Sequence, residues 1–275
     1  MKISVCLSTS PAKFDAVPFK GDFVENITAI SSMGFDGVEL AIRDPKLIDQ
    51  ESVLQTIKAA NLEIPAIGTG QAWGEEGLSF TDPDPSVRRQ AVERVIAHFE
   101  FAKKAKAVVI IGLLRGIVQP NVSTDKAQEW MYSNFSRCCD AAEKEGVQIA
   151  FEPINRYETS LLNSVAEGLG FIDKVGSPSL GMLLDTFHMN IEEPSIEASI
   201  HAAKGRIFHF HYADSNRLYP GAGHLDFESI LRALYATGYE RYVSAEHMSG
   251  VNAKESTRLG LEHMKRMYNE ISFQE

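Results

Sequence analysis

The chain has 275 residues, 44% hydrophobic and 23% charged, which suits a water-exposed globular domain with a sizeable core and excludes a disordered tract or a small stapled module. Its formal net charge of -10, from 27 basic and 37 acidic residues, leaves no broad basic footprint for a nucleic acid and points to a small-molecule substrate. Cys6, Cys138 and Cys139 form no Cys-x-x-Cys pair, which speaks against a disulfide framework or a thiolate metal site and fits a reducing compartment.

In chain order, short runs rich in Val, Ile and Leu alternate with longer amphipathic segments. The strand candidates are KISVCLS near 2, DGVELAI near 36, LEIPAIG near 62, AVVIIGL near 107, VQIAFE near 147, LGMLLD near 180, RIFHFHY near 206 and RYVSAE near 241. The clearest helices between them are Pro85–Lys104, Thr124–Glu145, Asn163–Val175, Phe227–Thr237 and Lys254–Tyr268. Asp84-Pro85 and Ser123-Thr124-Asp125 supply starts, and Gly146 and Gly238 supply stops. The opening MKISVCLSTSPAKF has only a short apolar run broken by Ser and Pro, and no later stretch reaches the length of a membrane span. A cytoplasmic protein without a membrane anchor is expected.

Eight βα units with no linker predict a single (β/α)8 TIM barrel over residues 1–275. An open doubly wound sheet is the weaker alternative, because no Gly-x-Gly-x-x-Gly turn follows the first strand.

In a barrel the functional groups sit at the carboxyl ends of the strands. Glu152, Asp185, His211 and Glu246 end strands five to eight, each about one βα unit from the next. A charged group ending a buried strand is costly unless paired or bound to metal. Three carboxylates and one imidazole suit a hard divalent cation, Mn²⁺ first and Mg²⁺ or Co²⁺ next. Such a cation would polarise a substrate ketone and acidify the adjoining C–H.

The motifs EPINRYE, LLDTFHMNIEE, HFHYADSNR with PGAGH, and AEH resemble the C-terminal half of ketose 3-epimerases, members of the xylose-isomerase-like barrels, over roughly residues 150 to 247. The resemblance implies Glu152, Asp185, His211 and Glu246 as metal ligands. It implies Glu152 and Glu246 as the acid/base pair on opposite faces of the carbon, and Glu158, His188 and Arg217 as binders of the O1 to O3 end of the substrate. AIGTGQAW, LSFTDPDPSVRR and VIIGLLRG resemble a narrower group, the 5-keto-L-gluconate epimerases of bacterial myo-inositol degradation, which yield D-tagaturonate. That likeness implies a keto-uronate substrate, whose carboxylate Arg115 at the end of strand four is a candidate to hold bidentately.

Gln71 and Glu39 are further rim candidates, each also explicable as a loop anchor. Trp73 and Phe80 are candidates to cap the pocket on a glycine-rich loop. His209 shares a face with His211 one step deeper and is expected to pack and hydrogen-bond rather than ligate. His98 and His201 are expected to be structural or surface groups. The residues of EWMYSNF read as helix packing, with a homo-oligomer contact as the alternative, and a homo-oligomer is the expected assembly. Competing functions are a neutral ketohexose 3-epimerase, an aldose–ketose isomerase, a multi-zinc DNA-repair endonuclease that the acidic charge disfavours, and a sugar-binding protein that would leave both glutamates unexplained.

Overall fold

The strands of this chain are mostly apolar and buried on both faces, and helices do the covering. In the computed structural model, which describes residues 1–250 and 252–272, eight parallel strands follow one another around a closed barrel. They are β1 (Lys2–Ser8), β2 (Gly37–Ala41), β3 (Ala66–Gly68), β4 (Val108–Ile111), β5 (Ile149–Phe151), β6 (Leu180–Asp185), β7 (Ile207–Tyr212) and β8 (Tyr242–Ala245). Closure pairs β1 with β8, from Lys2 against Tyr242 to Val5 against Ala245. A buried hydroxyl pair, Ser4 Oγ to Ser244 Oγ at 2.9 Å, bridges the same seam.

The helices are α1 (Phe23–Met33), α2 (Gln50–Ala59), α3 (Gln71–Glu76), α4 (Pro85–Ala97), α5 (Phe99–Ala105), α6 (Thr124–Glu145), α7 (Val165–Val175), α8 (Thr186–Glu192), α9 (Ile196–Ala202), α10 (Phe227–Ala236) and α11 (Ala253–Ser272). None of the described helices is long and apolar enough to cross a membrane. Local chemistry sets their ends. Asp84 and Ser123 cap α4 and α6 by accepting from Ser86 N–H and Lys126 N–H, and Gly146 ends α6 at φ 68°, where a side chain would strain. Ser164 and Glu167 close a reciprocal capping box on α7.

The expected helix over 85–104 is instead two helices broken at His98. The buried His98 ring faces the Arg94 carbonyl at 2.8 Å and the Ile42 carbonyl at 3.1 Å, and its N–H turns to the Val95 carbonyl three residues back. Anchoring the ring to the β2 end thus takes precedence over helical continuity.

A second correction concerns Phe80, which is fully buried and caps no pocket. Its ring meets Phe135 of α6 edge-on at 5.3 Å, and Phe135 in turn meets Phe151 at 5.6 Å and Phe171 at 5.0 Å. Within EWMYSNF, Met131 and Phe135 are therefore core, and Trp130 lies under the Arg88 guanidinium at 4.1 Å.

This aromatic cluster supports the last residue of β5, immediately before Glu152. Phe135→Ala is expected to cost about 3–5 kcal/mol through lost burial and an unfilled cavity. Denaturant unfolding measures it, and a cost below about 1 kcal/mol would mean the cluster does not hold the β5 end.

Candidate active site

The carboxyl ends of β5 to β8 bring the four expected ligands together: one ligand atom from each of Glu152, Asp185, His211 and Glu246 lies within 4.8 Å of the others. How each side chain is held follows from its element. Asp185 ends β6 and also caps α8, so its Oδ1 accepts from Phe187 N–H at 2.7 Å. Its Oδ2 is buried with no hydrogen-bond partner. Glu152 leaves β5 with its N–H on the Ile111 carbonyl. Its carboxylate needs Gly112 opposite, since a Cβ there would come within 2.5 Å of Glu152 Oε2.

His211 is fixed from behind. Its Nε2 lies 3.0 Å from both oxygens of Glu39, a residue of β2. His209 Nε2 meets the same carboxylate at 2.7 Å, so His209 packs and bonds one step deeper, as its alternation with His211 predicts. The other nitrogen, His211 Nδ1, faces Glu246 Oε2 at 3.6 Å, Asp185 Oδ2 at 3.8 Å and Glu152 Oε1 at 4.0 Å. These distances are too long for hydrogen bonds, and Nδ1 has no other partner.

The electrostatics describe a site short of positive charge. Burial, followed by repulsion from Glu246, pushes Glu152 well above the usual carboxylate range. Burial likewise raises Asp185, against the opposing pull of Arg217. Burial would lower His211, but the Glu39 and Glu246 carboxylates outweigh it and hold the ring charged well above its ordinary range. Burial also opposes ionisation of Glu39, yet the two imidazoles prevail and keep it well below its ordinary range. Orphaned Oδ2 and Nδ1 atoms beside crowded carboxylates are what a hard divalent cation satisfies, so the donor set fits one.

The flanking groups complete a cavity of about 280 Å³. Arg217 donates from Nη2 to Glu246 Oε2 at 2.7 Å and lies 3.2 Å from His188 Nε2 through Nη1. It stacks over the Phe187 ring at 4.5 Å. Arg217 therefore pairs with Glu246, and Glu158 is bonded instead by Asn155, at 2.9 Å. Gln71 lines the cavity and is also an anchor, donating to Ser8 Oγ at 2.6 Å and accepting from Ser10 Oγ at 3.2 Å. Trp73, Phe14 and an ion pair of Lys13 with Glu75, at 3.1 Å, line its outer part, whereas Cys6 of β1 lies at its inner end, within 4.8 Å of His211 and Glu246. A larger depression of about 980 Å³ opens at the opposite, amino-terminal end of the strands, among Lys2, Lys106 and Arg241. It holds none of the four ligands.

Arg115 requires correction. It is fully buried and does not line the cavity. Its donors go to the carbonyls of Glu152, Leu161 and Leu162, and its guanidinium lies over the Phe151 ring at 5.0 Å. Burial lowers its pKa to about 10. Each of its three nitrogens is turned to a main-chain carbonyl, and full burial keeps its remaining N–H groups away from the cavity. Instead Arg115 ties the main chain of Glu152 to the loop that carries Glu158.

Comparison with known proteins agrees with this fold. The profile of the xylose isomerase-like TIM barrel family matches residues 27–267. An L-ribulose 3-epimerase of Mesorhizobium japonicum is 32% identical over 218 residues, spanning 78% of this chain and 72% of the relative. A 3-dehydro-D-guloside 4-epimerase of Escherichia coli is 28% identical over 235 residues, 83% of this chain and 88% of the relative. The crystal structure of a D-allulose 3-epimerase from Methylomonas sp., in complex with D-allulose, superposes with a TM-score of 0.82 at 25% identity, covering 97% of this chain and 98% of that one.

Two outcomes test the site. Because a cation must displace protons from Glu152 and Asp185, both held above their ordinary range, Mn²⁺ affinity should rise with pH across the acid-to-neutral range and binding should release protons. Calorimetry in buffers of different ionisation enthalpy measures both, and free Mn²⁺ at a hundred times Kd should add about 2.7 kcal/mol of stability. Arg115→Met should leave carbonyls unsatisfied at roughly 1–3 kcal/mol each and lower turnover of keto-acids and neutral ketoses by the same factor. A loss confined to keto-acids would restore the clamp role.

Proposed function

The chain belongs to the xylose isomerase-like TIM barrels, and we propose that it inverts the carbon beside the ketone of a keto-sugar, using Glu152 and Glu246 as the proton carriers and a divalent cation that these two, Asp185 and His211 would hold. Keto-sugar epimerisation places it among the isomerases, as its relatives' names indicate. The observation that carries the reading is the convergence of buried Glu152, Asp185 and His211 with half-buried Glu246, with two atoms that lack a hydrogen-bond partner among the described residues.

Glu152, Asp185, His211 and Glu246 would hold the cation, Mn²⁺ in our reading, and it would supply positive charge that acidifies the C–H beside a ketone. The chain's own groups do the rest. Glu152 and Glu246 approach the same His211 nitrogen from two strands, β5 and β8, so a carbon placed between them loses its proton to one and regains it from the other. Because the reaction is reversible, each glutamate serves as base in one direction and acid in the other. Arg217 holds Glu246 Oε2 and with His188 offers donors to the substrate's oxygens, while Glu158 offers an acceptor. Phe14, Trp73 and Ile154 wall the cavity with apolar surface that limits water.

For the substrate we propose a keto-uronate, 5-keto-L-gluconate giving D-tagaturonate, on the strength of the AIGTGQAW, LSFTDPDPSVRR and VIIGLLRG segments. The cations lining the cavity are Lys13 and Arg217, so a carboxylate at the outer end would turn to Lys13. The paired state of Lys13 with Glu75 favours a second reading, a neutral ketohexose whose hydroxyls use both a donor and an acceptor.

With Mn²⁺ in D₂O, solvent deuterium should enter at the carbon beside the ketone together with formation of the epimer, as followed by NMR. Label at the neighbouring aldose position without an epimer would instead make the protein an aldose–ketose isomerase. Keto-uronates should exceed neutral ketohexoses in kcat/KM across a substrate panel, and the reverse order would establish the second reading. Glu246→Gln should lower kcat about 10²- to 10⁴-fold, the usual worth of general acid–base catalysis. Undiminished turnover in that variant would remove Glu246 from the mechanism.

A further inference from the structure

Asn155 stands in the loop after β5 and is fully buried. Its amide has one possible orientation. Oδ1 accepts from Tyr157 N–H at 2.9 Å, and Nδ2 donates to Glu158 Oε1 at 2.9 Å. Turning the amide over would set an NH₂ against an N–H and an oxygen against a carboxylate. The second hydrogen of Nδ2 then points at His188 Nδ1, 2.8 Å away. A ring nitrogen that accepts carries no proton, so the proton of His188 lies on Nε2.

That placement has a consequence at Arg217. Its Nη1 is 3.2 Å from His188 Nε2, and a guanidinium has donors only. Two N–H groups therefore face one another across the inner wall of the cavity. The nearest carboxylate oxygen to Nε2, Glu152 Oε1, is 3.7 Å away and too far to accept.

We infer that Asn155 is a positioning residue that locks His188 as its Nε2–H tautomer, so that His188 and Arg217 converge as two donors on a point where one substrate oxygen accepts from both. The substrate half of this statement rests on the keto-sugar reading, whereas the tautomer half does not. Burial, with the charges of Arg217 and Arg115, holds His188 well below its ordinary pKa, in keeping with a neutral ring. Two preset donors favour an oxygen that gains negative charge during reaction over one that does not.

Long-range ¹H–¹⁵N spectra of histidine-labelled protein read the tautomer directly, with His188 identified by its absence in His188→Asn. The wild-type protein should show His188 protonated at Nε2 and bare at Nδ1, with no substrate added. In Asn155→Asp the new carboxylate accepts from Nδ1, so the proton should move to Nδ1 and kcat/KM should fall about 10- to 100-fold, as for other partners that orient a histidine. Asn155→Ala removes the donor without adding charge beside Glu158 and should give a mixture of tautomers. A wild-type ring protonated at Nδ1, or an Nε2–H ring and full turnover surviving both substitutions, overturns the assignment. A wild-type protein with the expected tautomer but no epimerase activity on any keto-sugar would defeat the keto-sugar reading and leave the role of Asn155 standing.

Discussion

Three carboxylates and an imidazole share the mouth of this barrel, each nearly or fully out of water. Gathering like charges in a low-dielectric space is unfavourable by several kcal/mol per ion unless something compensates. The chain compensates in part: Arg217 answers Glu246, and Glu39 answers the ring of His211. Asp185 Oδ2 and His211 Nδ1 have no hydrogen-bond partner among the described residues. The site is thus built at the expense of fold stability, and a bound cation is the natural way to return it. Much of the surrounding structure follows from that arrangement, including the glycine at 112 that leaves room for the Glu152 carboxylate.

Around the four ligands stands a set of residues whose work is orientation. Glu39 reaches from β2 across the barrel to set which nitrogen of His211 faces the cluster. Asp185 uses one oxygen to cap α8, which fixes the other toward the site. Asn155 does for His188 what Glu39 does for His211. Arg115, from the loop after β4, holds the carbonyl of Glu152 and the carbonyls of Leu161 and Leu162. For His211, His188 and Glu152 the partner that satisfies a buried polar group comes from a different strand or loop, and for Asp185 Oδ1 it comes from the helix that Asp185 caps. The catalytic geometry and the hydrogen-bond accounting of the core are therefore one problem.

The eight strands and the convergence of Glu152, Asp185, His211 and Glu246 were legible in the sequence because both rest on local, repeating signals: an apolar run, a charged residue where it stops, and a spacing of one βα unit. Capping signals at Asp84, Ser123 and Gly146 were legible for the same reason. What failed was long-range. The break at His98 depends on a carbonyl of β2, which no helical periodicity contains. Arg115 reads as a cation at a strand end, and only the fold shows that three carbonyls lie within its reach. Phe80 sits in a glycine-rich region that suggests a pocket cap, yet its partner is an α6 residue more than fifty positions away. Asn155 carried a local clue, an Asx turn three residues before Glu158, but its contact with His188 crosses from β5 to β6. The alternation of His209 with His211 did place His209 correctly, since a strand period is local even when its partner Glu39 is not.

A division of labour around the rim follows. The ends of β5 to β8 and the segments that follow them carry the four candidate ligands together with His188 and Arg217, so the groups that we propose act at the ketone and its neighbouring carbon lie in one half. The loops after β1 and β3 supply Lys13, Phe14, Gln71, Trp73 and Glu75 to the outer cavity. They are laced to each other by Gln71 with Ser8 and Ser10 and by Lys13 with Glu75. Substitutions there would reshape the far end of the substrate without disturbing the buried charges, because no hydrogen bond of the lacing reaches a ligand. Relatives named for epimerisation at carbon 3 and at carbon 4 resemble this chain, and on the proposed reading a change of sugar calls for new groups in the outer half, where a substitution leaves the interlocked buried charges in place.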